Sequence, residues 1–257
     1  MALKIYFLGT GTSQGIPIIG VDDPVCMSTD PKDKRLRTSV WVEWDDVSLV
    51  IDCGPDFRQQ MLTCNNRRID ALLLTHEHSD HTAGLDDIRP YCYYNDVVLP
   101  IFAQKRVLES IVKRFDYFFD FKNRYPGAPN VSLHPIDDFQ YFQIKEKSIL
   151  ALPIAHGSLP ILGYRLGNFA YITDAKYITD QTIQALKGVD VLVINALRIE
   201  PHPSHCHLDL ALEYIQKIQP KKAYLTHIGF QLGFHEEVQK TLPKDVFLAY
   251  DNLVIEI

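Results

Sequence analysis

Long apolar runs are missing from this 257-residue sequence. No segment approaches the roughly 20 residues that a membrane-spanning helix needs. The opening Met1-Ala2-Leu3-Lys4-Ile5-Tyr6-Phe7-Leu8 is too short an apolar stretch for a signal peptide and runs into a glycine loop. A cytoplasmic protein is therefore the expectation. Cysteine is scarce as well: Cys26, Cys53, Cys64, Cys92 and Cys206 are odd in number and irregular in spacing. That argues against a disulfide framework and suits reduced thiols. Positive charge is in deficit, with 26 Lys and Arg against 32 Asp and Glu and a net charge of −6, which argues against a broad electrostatic grip on nucleic acid. The one basic cluster, Lys32, Lys34, Arg35 and Arg37, reads as a solvated loop. Low-complexity tracts, linkers and short tandem repeats are absent too. With 46% apolar residues to build a core, the chain is expected to form one domain, residues 1–257.

What is present alternates strands with a few helices. Lys4–Leu8 reads as a strand ending at Gly9-Thr10-Gly11, and Ser39–Trp44 and Ser48–Asp52 form a hairpin around Asp45-Asp46. Ala71–Leu74 is wholly apolar, as in a strand covered on both faces. Further strands are expected at Val97–Phe102, Tyr141–Ile144, Ile149–Ile154, Gly163–Leu166, Phe169–Thr173, Val189–Asn195, Ala223–Thr226, Val246–Tyr250 and Leu253–Ile257. Helical spacing marks Gln104–Phe118, Thr179–Lys187 and Leu208–Ile218, and another helix is expected to begin near Leu85. Two packed sheets with helices on both outer faces satisfy this order.

The densest chemistry lies in Leu74-Thr75-His76-Glu77-His78-Ser79-Asp80-His81. In extended backbone a His-x-His pair points both rings to one side, so His76 and His78 could bind one metal, with Asp80 and His81 facing a neighbouring one. A solvated polar loop with incidental histidines is the bland alternative. It accounts poorly for so many metal-ligating side chains at a strand end, where α/β folds place their sites. His156, Asp174 and His227 likewise each end an apolar strand. Alone, each would be an ordinary polar group; together they indicate a two-metal site.

Thr75-His76-Glu77-His78-Ser79-Asp80-His81, followed at long range by His156, Asp174 and His227, resembles the metallo-β-lactamase fold superfamily and its H-x-H-x-D-H signature. The resemblance covers essentially the whole chain. It implies an αββα sandwich, with two mixed sheets and helices on both outer faces. It also implies that His76, His78 and His156 bind a first divalent ion, that Asp80, His81 and His227 bind a second, and that Asp174 bridges them. Asp80 is counted as a catalytic group besides being a ligand. Asp52 would orient the histidines from behind.

The segment Phe7–Pro17, containing Gly9-Thr10-Gly11-Thr12-Ser13, is similar to the opening of the phosphodiesterases of that superfamily, both tRNase Z and the phosphoribosyl 1,2-cyclic phosphate phosphodiesterases. Gly20–Cys26, Arg35–Ser39 and Pro203-Ser204-His205-Cys206-His207-Leu208 favour the second group. By that resemblance His205 is a catalytic group near the scissile phosphate, with His202 and His207 as competing choices. Members of that group commonly carry a structural zinc site, whose ligands would fall at Val21, Asp23, Cys26 and Phe230. Three of the four family residues are replaced here, by Val21, Asp23 and Phe230, so packing is expected in place of the metal, with Cys26 a bystander.

The implied reaction is hydrolysis of a small phosphodiester, a cyclic ribose phosphodiester among the candidates. A hydroxide held by two divalent cations, zinc or manganese, attacks phosphorus in line. Arg37 is a candidate to neutralise the equatorial oxygens, and His205 protonates the leaving oxygen. The expected partner is the small substrate; nucleic acid and membrane are not expected, and a homodimer is left open. A tRNA 3′-end endonuclease shares the ligand set, but the stretch between Asp174 and His227 is already filled by helix, strand and helix. Thiolester or lactone hydrolysis on the same metals, and metal binding without turnover, are the other readings.

Overall fold

The computed structural model describes residues 3–120, 122–123 and 125–257. In chain order its elements are β1 (Leu3–Gly9), α1 (Pro24–Met27), β2 (Ser39–Trp44), β3 (Val47–Ile51), α2 (Phe57–Thr63), β4 (Ala71–Leu73), α3 (Ser79–Thr82), α4 (Arg89–Asn95), β5 (Leu99–Ala103), α5 (Lys105–Arg114), β6 (Val131–Pro135), β7 (Tyr141–Ile144), β8 (Lys147–His156), β9 (Leu159–Leu166), β10 (Phe169–Tyr171), α6 (Asp180–Leu186), β11 (Val191–Asn195), α7 (Leu208–Ile218), β12 (Lys222–Thr226), α8 (His235–Thr241), β13 (Val246–Leu248) and β14 (Val254–Glu256). The strands form two mixed sheets, ordered β14-β1-β2-β3-β4-β5-β6 and β13-β12-β11-β10-β9-β8-β7.

Side-chain alternation explains how the sheets stack. In β3 all five residues are buried, but Leu49 and Ile51 enter the cluster between the sheets while Val50 enters an outer one. The inner cluster joins Ile5, Phe7, Val40 and Val42 of the first sheet to Ala151, Leu162, Tyr164 and Tyr171 of the second. Outside the first sheet lie Phe57 and Met61 of α2, Tyr91 of α4, and Val107, Leu108 and Ile111 of α5. Outside the second lie Ile183 and Leu186 of α6 and Ala211, Tyr214 and Ile218 of α7. The result is the expected αββα sandwich. No described helix is long and apolar enough to cross a membrane.

Several boundaries differ from the sequence reading. The helix expected over Gln104–Phe118 stops at Arg114; Phe115 leaves helical geometry (φ −119°, ψ 46°) and a separate 3₁₀ turn covers Asp116–Phe118. Near Leu85 there is a 3₁₀ turn, and the α-helix begins only at Arg89. Strand β6 and helices α2 and α8 were not anticipated.

Candidate metal centre

Strands β3, β4 and β5 run parallel, as do β10, β11 and β12, and parallel strands deliver their carboxyl ends to one edge. Asp52 follows β3, Thr75 to His81 follow β4, His156 closes β8, Asp174 lies beyond β10 and His227 follows β12. At three of these exits the chain turns through the left-handed region: Asp52 (φ 66°), Asp174 (φ 56°) and His227 (φ 53°). Such backbone is uncommon for residues other than glycine and persists where the surroundings impose it. Asn195, at the end of β11, grips Ala175 through both its N–H (2.7 Å) and its carbonyl (3.0 Å), fixing the turn after Asp174. Ile228 N–H donates to the Thr10 carbonyl at 2.9 Å and its own carbonyl accepts from Thr12 N–H at 3.0 Å, fixing the turn after His227. The Asp52 carbonyl accepts from Ser39 Oγ at 2.9 Å. Gly54 is required for a different reason: a Cβ there would lie 2.1 Å from the Asp80 carbonyl oxygen, so only glycine lets α3 pack onto this exit.

The edge gathers three sets of side chains, each with ligand atoms within 4.8 Å of one another: His76, His78 and His156; Asp80, His81, Asp174 and His227; and His156, Asp174 and His205. His81 Nε2 lies 3.1 Å from Asp80 Oδ2 and 3.3 Å from Asp174 Oδ2. His227 Nε2 lies 3.1 Å from Asp174 Oδ1. Outside partners set the tautomers. His81 Nδ1 meets Asp52 Oδ2 at 2.7 Å and His156 Nδ1 meets the Ser204 carbonyl at 2.8 Å. Each Nδ1–H therefore donates outward and leaves Nε2 free as a ligand. Asp52 is itself held by Thr75, accepting from its N–H at 2.9 Å and from its hydroxyl at 2.9 and 3.1 Å.

Charge is distributed unevenly. Burial disfavours a charged His81, but Asp174, Asp52 and Asp80 outweigh it and hold the imidazole well above its usual value, so a cation ligated at Nε2 would replace the proton that these carboxylates favour there. Burial opposes charge on Asp174 as well, yet His227 and His81 keep its carboxyl well below the usual range. Burial holds His76 well below its usual value, with His81 adding to the effect. His205 is held down at about 3 by burial and then by His227, against the pull of Asp174. Buried ring nitrogens left without a hydrogen-bond partner include His81 Nε2, both nitrogens of His227 and His205 Nδ1. Buried polar atoms are nearly always paired. A concentration of unpaired imidazole nitrogens around two carboxylates fits divalent cations, to which neutral imidazole and carboxylate are both ligands.

The sequence matches the family model of the Beta-lactamase superfamily domain over residues 48–228. The chain belongs to the β-lactamase superfamily. Among solved structures it is similar to one described as a new diphosphatase from the PhnP family, with 37% identity and a TM-score of 0.93, covering 100% of this chain and 98% of that one. Among curated proteins it is 41% identical over 253 residues to an octanoyltransferase of Porphyromonas gingivalis, covering 98% of this chain and 51% of that protein. It is 25% identical over 166 residues to a ribonuclease Z of Mycolicibacterium gilvum, covering 59% and 56%. The chain spans about half the length of the curated relatives it matches.

All seven residues expected as metal ligands in this superfamily member, His76, His78, Asp80, His81, His156, Asp174 and His227, meet at the one edge. Asp80 and His81 lie inside the short helix α3 rather than ahead of a helix at Leu85. His205 packs against the cluster, its ring 4.4 Å from that of His156 and 4.9 Å from that of His227. His207 instead sits at the N-cap of α7. Arg37 is already engaged: it pairs with Asp56 (3.1 Å) and donates to the Ser13 carbonyl (3.2 Å). The basic cluster is not a solvated loop, since Arg35 is buried and bonds Thr10 Oγ1 (2.7 Å), the Ala249 carbonyl (2.6 Å) and His235 Nδ1 (3.1 Å). At the positions of the family's structural zinc, Cys26 joins Ile16 and Val25 in an apolar cluster with Val21, Phe230 and Phe234 packed against it. Asp23 instead caps α1 through the Val25 N–H. Packing thus stands at these positions, as expected, and Cys26 is part of that small core. Asn195, Thr75 and the Ser204 carbonyl were missed, because their roles depend on neighbours remote in sequence.

Proposed function

We propose that this protein is a metal-dependent phosphodiesterase acting on a small phosphodiester, with a cyclic ribose phosphodiester among the candidates. The supporting observation is the pair of facing donor sets, rich in unpaired ring nitrogens, with His205 at their margin. His76, His78 and His156 would hold one divalent ion, zinc or manganese; Asp80, His81 and His227 would hold a second, with Asp174 between them. When bound, such ions polarise phosphoryl oxygens and lower the pKa of water towards neutrality.

The chain's own residues supply the rest. Asp52 and the Ser204 carbonyl fix His81 and His156 in the ligating tautomer. The Asp174 carboxylate, nearly always ionised in this setting, and that of Asp80 both offer oxygen donors beside His81 Nε2. His205 relays a proton at its ring: held near 3 and unprotonated at neutral pH, it takes up the proton released by the attacking water and passes it to the departing oxygen. An anionic phosphoryl group beside it favours the imidazolium and works in the direction the step needs.

Two other activities are weighed against this one. Cleavage of a diphosphate bond is favoured by the description of the 37% identical structure as a diphosphatase, and it uses the same groups on the same class of oxygen. A ribonuclease Z activity is disfavoured, because α6, β11, α7 and β12 fill the segment between Asp174 and His227, leaving no inserted arm among the described residues. Purified protein loaded with zinc or manganese should hydrolyse bis(p-nitrophenyl) phosphate while leaving thiolester and lactone panels untouched. Turnover of a thiolester or lactone without any phosphodiester turnover would refute the proposal.

A further inference from the structure

A cleft of about 510 Å³ lies between α2 and α4, on the outer face of the first sheet. That volume falls within the roughly 300–1,000 Å³ usual for small-molecule sites. Phe57 and Met61 of α2 and Tyr91 of α4 form its buried wall, and the Phe57 and Tyr91 rings meet edge-on at 6.4 Å. Leu62 and Tyr94 line it too and are 61% and 82% exposed, so an apolar and an aromatic side chain stand in water at its rim. The crossovers set its direction. Helix α2 leads back from the end of β3 to the start of the parallel strand β4, and α4 leads to the start of β5. Arg67 and Tyr94 therefore lie towards the amino ends of these strands, away from the edge that carries the histidines.

The polar lining has donors and positive charge in excess. Arg58 and Arg67 both line the cleft, and among the described residues neither is in an ion pair. Asp87 is the one carboxylate among the described lining residues, which leaves one positive charge unbalanced. Asn66 lines the cleft as well and is 7% exposed. Its Oδ1 accepts from the Arg68 N–H at 3.1 Å, but its Nδ2 is buried without a partner. Buried donors are nearly always paired. An acceptor in the cleft would give this amide a bond that it lacks, whereas the exposed arginines would exchange water for ligand. Aromatic walls, two guanidinium groups and an unpaired amide donor are complementary to a flat ring that carries an anion.

We infer that this cleft is a second ligand site, separate from the histidine edge, which takes a small aromatic anion: a planar ring with an N–H donor and a phosphoryl or carboxylate group. The ring packs on Phe57 and Tyr91, with Tyr94 as its cover. The anion meets Arg58, Arg67 and the Asn66 amide, and Asp87 accepts from the ring donor. No bond is made or broken there. The inference stands apart from the phosphodiesterase reading, because no residue lining the cleft is one of the seven expected metal ligands.

Calorimetry on metal-loaded protein tests this with two probes, adenosine 5′-monophosphate and indole-3-acetate, each against its uncharged partner, adenosine or indole-3-acetamide. At least one anion should bind about 10-fold more tightly than its partner, the size of one charge-assisted contact. Which anion binds distinguishes a phosphoryl source from a carboxylate one. Arg67→Glu and Tyr94→Ala replace exposed side chains remote from the metal edge. Each should weaken that binding about 10-fold while metal content and melting temperature stay at wild-type values. Asn66→Asp keeps the acceptor used by Arg68 and removes the unpaired donor, so it should weaken the anion likewise. Wild-type affinity in both Arg67→Glu and Tyr94→Ala would place the anion at the metal edge and overturn the site. Failure of both anions to bind would overturn it too, as would a dimer that excludes them and dissociates in Tyr94→Ala, since a second copy would then cover the cleft.

Discussion

Replacing Asp52 by asparagine keeps the shape of the side chain and removes one acceptor. The carboxylate is fully buried, and all of its polar contacts are acceptances: Oδ2 from His81 Nδ1–H, Oδ1 from Thr75 N–H, and both from the Thr75 hydroxyl. An amide has two ways to sit there. With its oxygen towards His81, its NH₂ faces the Thr75 N–H, and a buried donor is left unpaired at about 1–3 kcal/mol. With its NH₂ towards His81, Nδ1 must become the acceptor, so the proton moves to Nε2 and the ligand atom is lost. Either way metal affinity should fall about 10–100-fold, equivalent to about 1.4–2.8 kcal/mol. Competition with a chromophoric chelator measures the affinity, and side-chain nitrogen NMR reads the His81 tautomer. Wild-type affinity in Asp52→Asn, with His81 unchanged, would show that Asp52 does not set this ligand.

His205→Ala should lower kcat by about 10²–10⁴-fold with both metals retained, and by less for p-nitrophenyl esters, whose leaving group departs without a proton; metal analysis together with paired alkyl and nitrophenyl substrates checks both parts. Stripping metal with a chelator should abolish phosphodiester turnover and lower the melting temperature, because ions bound only by the folded chain stabilise it, and readdition should restore both. Cys26→Ser should leave metal content unchanged, since its neighbours are apolar. Burying a hydroxyl there should cost about 1–2 kcal/mol, seen as a fall of a few degrees in a thermal melt.

How much was legible in the sequence depends on how local each signal is. His76 to His81 sit in one short stretch behind an apolar strand, and His156, Asp174 and His227 each close another, so the donor set can be read without knowing how the strands pair. The sandwich followed from the same alternation, because a strand such as β3, buried on both faces, must be covered twice. Helices α2, α4 and α8 were hard to read: each has only seven residues and no side-chain N-cap bond, whereas the equally short α6 is marked by the Thr179 cap and by Gly188 just beyond it.

Charge was the least legible property. Arg35 and Arg37 look alike in sequence, yet one is buried among Thr10, Ala249 and His235 while the other pairs with Asp56 near the surface. The sequence by itself determined which side chains carry the chemistry and which strand ends present them, because residue type and a period of two are properties of adjacent positions. Tertiary structure alone decided the tautomers of His81 and His156, the brace of Asn195 on the Asp174 turn and the apolar filling around Cys26. Each of these is set by the distance between groups far apart along the chain, and that distance exists only after the two sheets have packed.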